Sequence, residues 1–142
     1  MRMSKLRVLA IALIKNAKGQ ALMHRGYDSK IKQHFYRPLG GGVDFGEKSK
    51  SALKREFMEE LGLKIQVKKL LTVFESIFTY SAKEKHEIVF LYEANFLSAS
   101  DIKKEYNIIE DDEVSGIAVW RSLKEIQKEK APLYPAGLEK YL

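Results

Sequence analysis

The chain has 142 residues, 45% of them hydrophobic, which fits one domain with its own core rather than two. It contains no cysteine, which excludes disulfides, thiolate metal ligands and a cysteine nucleophile and is compatible with a cytoplasmic location. The net charge of +6 favours polyanionic ligands such as nucleotides. RNA is favoured less, because the lysines are spread along the chain instead of forming one basic block.

The first predicted element is a buried strand. Residues 8–14 form an apolar run behind Arg2 and Arg7, an arrangement that superficially resembles a signal peptide. The run is too short to span a membrane and no small-residue cleavage site follows it, so we expect no membrane association. A turn at 16–19 and the alternating residues 20–25 predict a hairpin with this strand.

A glycine-rich segment leads from a short strand into the first predicted helix. Residues 35–43 contain Pro38 and three glycines, which predicts an edge-like strand that bends into a loop. The helix is predicted over 50–61, with Ser49 as its N-cap and Gly62 as the left-handed residue that ends it.

The second half of the chain predicts mainly strands. Residues 64–80 predict one long or interrupted strand, and 87–97 the strand that returns after a charged turn. Residues 99–112 predict a functional or mobile loop, since structureless connections of this length are uncommon. The last elements are a strand and two short helices, over 114–120, 123–128 and 134–142. This order predicts an α/β (α+β) fold in which helices pack on both sides of a mixed sheet.

The acidic residues of the first helix carry the strongest functional signal. At about 100° per residue, Glu56, Glu59 and Glu60 fall on one face of the helix, while Leu53 and Phe57 lie on another. Like charges at these spacings are mildly destabilising, so helix stability does not explain them. Carboxylate oxygens suit hard cations such as Mg²⁺, whose coordination is usually completed by water and substrate phosphates. The pattern therefore indicates phosphate chemistry at a metal site.

Other phosphate and metal motifs fit poorly. Gly41 and Gly46 have the spacing of a P-loop, but Glu47 stands where the phosphate-binding lysine is required. Phe45 occupies the last glycine position of the dinucleotide-binding pattern, which argues against a nicotinamide-dependent oxidoreductase. The three histidines form no H-E-x-x-H pattern, so no zinc site is predicted.

The segment 41–63 resembles the Nudix box. The family's pattern, G-x5-E-x7-R-E-hydrophobic-x-E-E-x-G-hydrophobic, is matched at every fixed position by Gly41, Glu47, Arg55, Glu56, Phe57, Glu59, Glu60, Gly62 and Leu63. Similarity extends to the flanking segment 36–39 and to 119–120, so the resemblance covers residues 1–142 as one Nudix hydrolase domain. It implies an α/β/α sandwich.

The resemblance also implies roles for the residues of the box. It implies a pyrophosphohydrolase that depends on Mg²⁺, with Mn²⁺ as an alternative cation. Glu59 and Glu60 are expected to be metal ligands, and Glu56 a further ligand or the base that activates water. Arg55 is expected to orient a carboxylate rather than to touch the substrate.

Further residues are expected to support these four residues of the box. Glu47 is expected to act as a supporting ligand through water or as a partner of Arg55. The carbonyl of Gly40 or of Gly41 is a candidate neutral oxygen ligand, because glycine permits close backbone approach. The family often takes another ligand or base from an acid in a distant loop. The acids before the last strand leave this choice open, with Glu110 and Glu113 selected from the set Glu105, Glu110, Asp111, Asp112 and Glu113.

Substrate recognition is expected outside the box. Arg25 and Arg37 are the candidates that hold a phosphate. The candidates that stack on a base are Tyr27, Phe35, Tyr36, Phe74 and Phe78, although core packing is the better interpretation of Phe74. The expected substrate is a nucleoside diphosphate linked to another moiety, such as ADP-ribose, a dinucleoside polyphosphate or an NTP. The absence of proline between residues 39 and 131 argues against ADP-ribose, whereas Tyr80 resembles a tyrosine common in diadenosine polyphosphate hydrolases.

Two alternatives stay open at this stage. One is a nucleotide-sensing or RNA-binding Nudix-like module without turnover, although such modules typically have a damaged box and this one is intact. The other is a pyrophosphohydrolase that acts on RNA 5′ ends, which would suit the positive charge. Dimers are common in the family, so a homodimer is one expected assembly.

Overall fold

The computed structural model describes residues 5–142 and contains, within them, eight strands and two α-helices. The strands are β1 (Leu6–Leu13), β2 (Ala21–Asp28), β3 (Gln33–Pro38), β4 (Gly40–Gly42), β5 (Ile65–Tyr80), β6 (Lys83–Phe96), β7 (Glu105–Glu110) and β8 (Glu113–Arg121). The helices are α1 (Ser49–Leu61) and α2 (Leu123–Glu129), and short 3₁₀ turns cover Ala99–Asp101 and Leu138–Tyr141. No helix in this part of the chain is long and apolar enough to cross a membrane.

The strands of the described residues form two four-stranded sheets. In the first, of order β4-β1-β6-β5, β1 and β6 are parallel and the other pairs are antiparallel. The second, of order β3-β2-β8-β7, is antiparallel throughout. The α+β class with a mixed sheet is confirmed, and the strands divide between two sheets.

The two helices pack in separate clusters of buried side chains. Leu53 and Phe57 of α1 join a cluster that includes Trp120 of β8. Ile126 of α2 joins another cluster that includes Tyr36 of β3. Each helix thus buries its apolar face against sheet residues, as an α/β/α sandwich requires.

The predicted hairpin between the first two strands is wrong. Residues 16–19 do form a tight turn, in which the side-chain oxygen of Asn16 accepts hydrogen bonds from the backbone of Lys18 and Gln20. After a single bridge between Lys15 and Ala21, however, β1 and β2 enter different sheets. The reason is burial: the second half of β1 is buried at every position, so it needs a strand on each side. Arg2, which entered the signal-peptide comparison, lies outside the described residues.

The sequence predicts the end of helix α1 correctly but not its beginning. The N-cap is Lys48, and Ser49 is already helical, so the predicted capping role of Ser49 is wrong. Its hydroxyl instead lies 2.6 Å from the hydroxyl of Tyr92 on β6. The predicted end is confirmed, since Gly62 adopts φ = 68° and its N–H bonds to the carbonyl of Met58.

Two predictions near the C-terminus need correction. The predicted loop over 99–112 contains β7, whose residues Tyr106 and Ile108 alternate into the core. The strand was missed because charged residues flank this short alternation. The predicted closing helix over 134–142 is reduced to the 3₁₀ turn Leu138–Tyr141. In contrast, the long strand predicted for 64–80 is confirmed as β5, with irregular pairing between Val67 and Thr72.

Candidate active site

A cleft of about 920 Å³ opens between α1, β4 and the β7–β8 turn. One part of its wall consists of the carboxylate side chains Glu56, Glu59 and Glu60 of α1, which we call the acidic wall. Residues 109–112 supply another part. Three basic side chains complete the polar lining: Arg7, His24 and Arg37. The cleft therefore combines clustered acids with separate bases, which suits a ligand that carries both a cation and phosphate groups.

Two glycines of β4 allow close approaches, one to α1 and the other to β1. A Cβ atom added at Gly41 would overlap the carboxyl group of Glu56. Gly40 adopts φ = 154°, and a Cβ atom there would overlap the backbone of Ala10. Because only glycine tolerates both the positive φ and the close approach, this run fixes where Glu56 lies in the cleft.

Arg55 organises the carboxylates at the edge of the cleft. Its Nε and Nη2 donate to the two carboxylate oxygens of Glu47 at 2.8 and 3.0 Å. Its Nη1 donates to Glu56 at 3.0 Å and to Glu59 at 3.2 Å, and its Nη2 also donates to the carbonyl of Gly42 at 2.9 Å. The hydrogen bond from Arg55 holds the pKa of Glu47 well below its usual range. One guanidinium thus ties the glycine turn to three acids of the box.

Glu60 is the most perturbed acid of the wall. Burial, followed by a hydrogen bond and charge repulsion from Glu56 and the charge of Glu110, raises the pKa of Glu60 to about 8, while Arg37 acts in the opposite direction. Among residues 5–142, no three acidic or histidine side chains converge closely enough to hold a metal ion. The cause is visible in the contacts, because Glu56 and Glu59 turn toward Arg55.

The donor set of the acidic wall nevertheless fits a divalent cation. The three side chains offer carboxylate oxygens to the same cleft, the ligand type that Mg²⁺ prefers. A cation beside Glu56 and Glu60 would offset the repulsion that now raises the pKa of Glu60.

The supporting residues chosen from the sequence separate into two groups. Gly40 and Glu110 line the cleft, the latter from the end of β7. Glu47 lies one step removed, behind Arg55. Glu113 is exposed on β8 and does not line the cleft, so the structure does not support it as a substrate or base residue.

Strand alternation divides the predicted substrate residues between two faces of the second sheet. Arg37 pairs in register with His24, and both line the cleft. Arg25 pairs with Tyr36 on the other face, where the Tyr36 hydroxyl donates to Glu129 at 2.8 Å and accepts from Arg25 at 3.1 Å. Arg25 and Tyr36 are therefore corrected to a structural role, because they anchor the end of α2.

A second cavity of about 230 Å³ continues from the cleft between the sheets, and we call it the aromatic chamber. Its aromatic lining residues are Phe35, Phe78, Tyr80 and Tyr134, and its polar ones include Ser76, Lys85 and Glu87. Arg7, His24 and Arg37 line both cavities. Tyr80, which was chosen from the sequence, thus lies in the chamber, beyond the basic residues when viewed from the acidic wall.

A comparison with protein-family models matches residues 5–141 to the NUDIX domain. The chain belongs to this family. With this membership and its complete box, it is an enzyme of the Nudix hydrolase class.

Solved structures of Nudix proteins have the same fold at low sequence identity. The MutT protein from Methanosarcina mazei Go1 is 22% identical with a TM-score of 0.64, and the match covers 99% of this chain and 93% of that one. The MutT NUDIX hydrolase from Burkholderia pseudomallei is 25% identical with a TM-score of 0.61, covering 86% and 87%. An ADP-ribose pyrophosphatase from Streptococcus suis 89-1591 is 14% identical with a TM-score of 0.57, covering 90% and 79%.

Several residues of this Nudix site were missed from the sequence. Arg7 was interpreted only as part of a signal-like flank and His24 only as one of three histidines without a zinc motif, yet both line the cleft. Burial and the nearby Arg37 lower the pKa of His24. Glu87 was not predicted to be a site residue, although it alternates with the buried Val89. Period-two alternation was the signal that would have identified this acid as buried.

Proposed function

We propose that this Nudix hydrolase is a Mg²⁺-dependent pyrophosphohydrolase that cleaves the diphosphate linkage of a nucleoside diphosphate joined to another moiety. The supporting observation is that the acidic wall and Arg37 lie in one cleft. The Arg37 side chain makes no ion pair or hydrogen bond with any residue between 5 and 142. Burial lowers its pKa, and the charge of Glu87 acts in the opposite direction. A partly buried guanidinium whose N–H groups are not bonded to a carboxylate is suited to a phosphate.

The proposed reaction is attack of water on phosphorus. A new bond forms between the water oxygen and one phosphorus atom, and the bridging P–O bond breaks. The leaving phosphate takes the electron pair, and the water proton passes to a carboxylate base. Glu56 is the first candidate for that base, and Glu110 is the second because it reaches the same cleft from β7.

The remaining residues hold the reacting groups in position. Glu56, Glu59 and Glu60 are the residues that would hold Mg²⁺, or Mn²⁺, which would neutralise phosphate charge and lower the pKa of a bound water. Arg55 restrains Glu56 and Glu59 by hydrogen bonds at 3.0 and 3.2 Å. Arg37 would hold a phosphate on the side toward the aromatic chamber, which leaves that chamber for the group attached to it.

Product analysis by mass spectrometry tests this function. The purified protein would be incubated with ADP-ribose, dinucleoside polyphosphates, NADH, nucleotide sugars, NTPs and 5′-triphosphate RNA, each with Mg²⁺ and with a chelator. In ¹⁸O-water, the label would identify the phosphorus that is attacked. We expect chelator-sensitive cleavage of one nucleotide group well ahead of the others. Silence toward every substrate, combined with tight binding of one ligand, would instead favour a sensing module.

A further inference from the structure

The aromatic chamber is lined by a carboxylate and a hydroxyl that make no hydrogen bond with the described residues. Glu87 and Ser76 are each only 6% exposed, and both line the chamber. The Glu87 carboxylate forms a salt bridge with Nη1 of Arg7 at 3.8 Å, which is longer than a hydrogen bond. Among the described residues, no fully buried side-chain oxygen or nitrogen lacks a hydrogen-bond partner. The oxygens of Glu87 and Ser76, which make no hydrogen bond there, are therefore accessible from the chamber and can bind a ligand.

Strand pairing places the two groups side by side. Ser76 of β5 and Glu87 of β6 are directly opposite each other in the antiparallel register. Side chains of such a pair project from the same face with their Cβ atoms about 5 Å apart, so one flat ligand can reach both groups. The pair therefore forms one recognition surface with a carboxylate at one end and a hydroxyl at the other.

The other residues of the chamber favour a flat ring. Phe35 lies with its ring centroid 5.4 Å from that of Tyr80 and 5.7 Å from that of Tyr134. A side chain at Gly26 would overlap the Phe35 ring, so this glycine makes room for it. At about 230 Å³ the chamber is smaller than the roughly 300–1,000 Å³ of a pocket that encloses a whole drug-sized ligand. It has room for one ring system whose attached phosphates remain in the cleft.

We infer that Glu87 and Ser76 select a substrate whose base has a guanine-type edge, with two adjacent N–H donors next to a carbonyl. An ionised carboxylate only accepts hydrogen bonds and can accept two in parallel, while a hydroxyl can donate. Guanine offers N1–H and the exocyclic amino group to Glu87 and its carbonyl to Ser76. Adenine and cytosine place a ring-nitrogen lone pair beside their amino group, and uracil has one N–H between two carbonyls. This inference rests on the proposed function for the position of the phosphates.

Binding of nucleoside monophosphates tests the inference without requiring turnover, because these ligands contain no diphosphate. Titration calorimetry with Mg²⁺ would compare GMP, IMP, AMP and UMP. We expect GMP to bind about tenfold or more tightly than AMP or UMP, and IMP, which lacks the amino group, to fall between them. Equal affinities, or no measurable GMP binding, would overturn the assignment.

Variants connect the preference to the residues. Glu87→Gln replaces one acceptor by an amide N–H that would face a donor of the base, so the GMP preference should disappear. Ser76→Ala should weaken GMP binding more than AMP binding. Glu84→Gln, the same change at an exposed position of β6, is the matched control and should keep the preference. A Glu87→Gln protein that melts like the wild type and still prefers GMP would refute the role of Glu87. A GMP preference in a protein that hydrolyses nothing would refute the proposed function alone.

Discussion

The acidic wall and the aromatic chamber lie in adjoining cavities but are built in different ways. Glu56, Glu59 and Glu60 come from two turns of one helix, whereas the chamber combines side chains from five strands and from the segment after α2. Chemistry encoded within one helix is visible in the sequence as spacing. Recognition encoded across strands becomes visible only when strand pairing is known. If the two regions have separate tasks, substitutions in each should have different kinetic effects.

Loss of a carboxylate from the acidic wall should have the largest effect. Glu59→Gln and Glu60→Gln should each lower kcat at least about 100-fold, more than loss of a typical outer-sphere partner. Neither variant should unfold at a lower temperature than the wild type, because neither acid supports the core and burial already disfavours the charge of Glu60. Glu113→Gln is the matched control, since that acid is exposed and does not line the cleft. Wild-type turnover in both variants would remove the metal-binding role from the wall.

A change in backbone spacing should be nearly as harmful. Gly41→Ala would place a methyl group where the carboxyl group of Glu56 now lies, which would displace that carboxylate. A shift of about 1 Å in a reacting group can lower the rate about 100-fold. Gly19→Ala is not a suitable control, because the φ of 75° at Gly19 would strain an alanine. Ala17→Gly, an exchange of the same two residue types in a turn far from the cleft, serves as the control. An unchanged kcat in Gly41→Ala would show that turnover does not depend on the position of the Glu56 carboxylate.

Replacement of Arg55 should have a smaller effect on the same parameter. Arg55→Lys keeps the charge but cannot make the paired hydrogen bonds to Glu47 together with those to Glu56 and Glu59. We expect kcat to fall roughly 10- to 100-fold with KM little changed, as for a residue that orients metal ligands. Steady-state kinetics at saturating Mg²⁺ provides the measurement. A rise in KM alone would mean that Arg55 contacts the substrate.

Removal of the free arginine should change binding more than turnover. Arg37→Gln should raise KM about tenfold, the expected effect of losing a hydrogen bond to a charged phosphate. Arg121→Gln, on the opposite face of the second sheet, tests whether loss of any arginine has this effect. If Arg37→Gln lowers kcat and leaves KM unchanged, Arg37 acts on the transition state instead.

The residues corrected to a structural role should affect stability alone. Tyr36→Phe removes the hydroxyl that donates to Glu129 and accepts from Arg25. Loss of these contacts should reduce the free energy of unfolding by about 1–3 kcal/mol, with kcat/KM per folded molecule unchanged. Denaturant unfolding measures the first quantity. Reduced kcat/KM with full stability would return Tyr36 to the list of substrate residues.

The sequence predicted best the features that depend on nearby residues. The acidic face of α1 and the glycine that ends it follow from spacing within one segment. The pairing of β1 with β6 did not, because it joins residues about 80 positions apart with nothing local to indicate it. For the same reason Arg25 and Arg37 appeared equivalent, although alternation on β2 and β3 directs them to opposite faces. The alternation of Glu87 with Val89 and Leu91 could have identified it as a buried acid. That it lies beside Ser76 and Arg7 could not be predicted, because this depends on the register of three strands.

The most direct test of the account is turnover measured against Mg²⁺ concentration for the wild type and Glu59→Gln, with the best substrate of the panel. The account predicts saturable activation of the wild type that a chelator abolishes. It also predicts that Glu59→Gln needs more Mg²⁺ or never reaches the wild-type rate. Equal turnover with and without the chelator would contradict the claim that the acidic wall acts through a divalent cation.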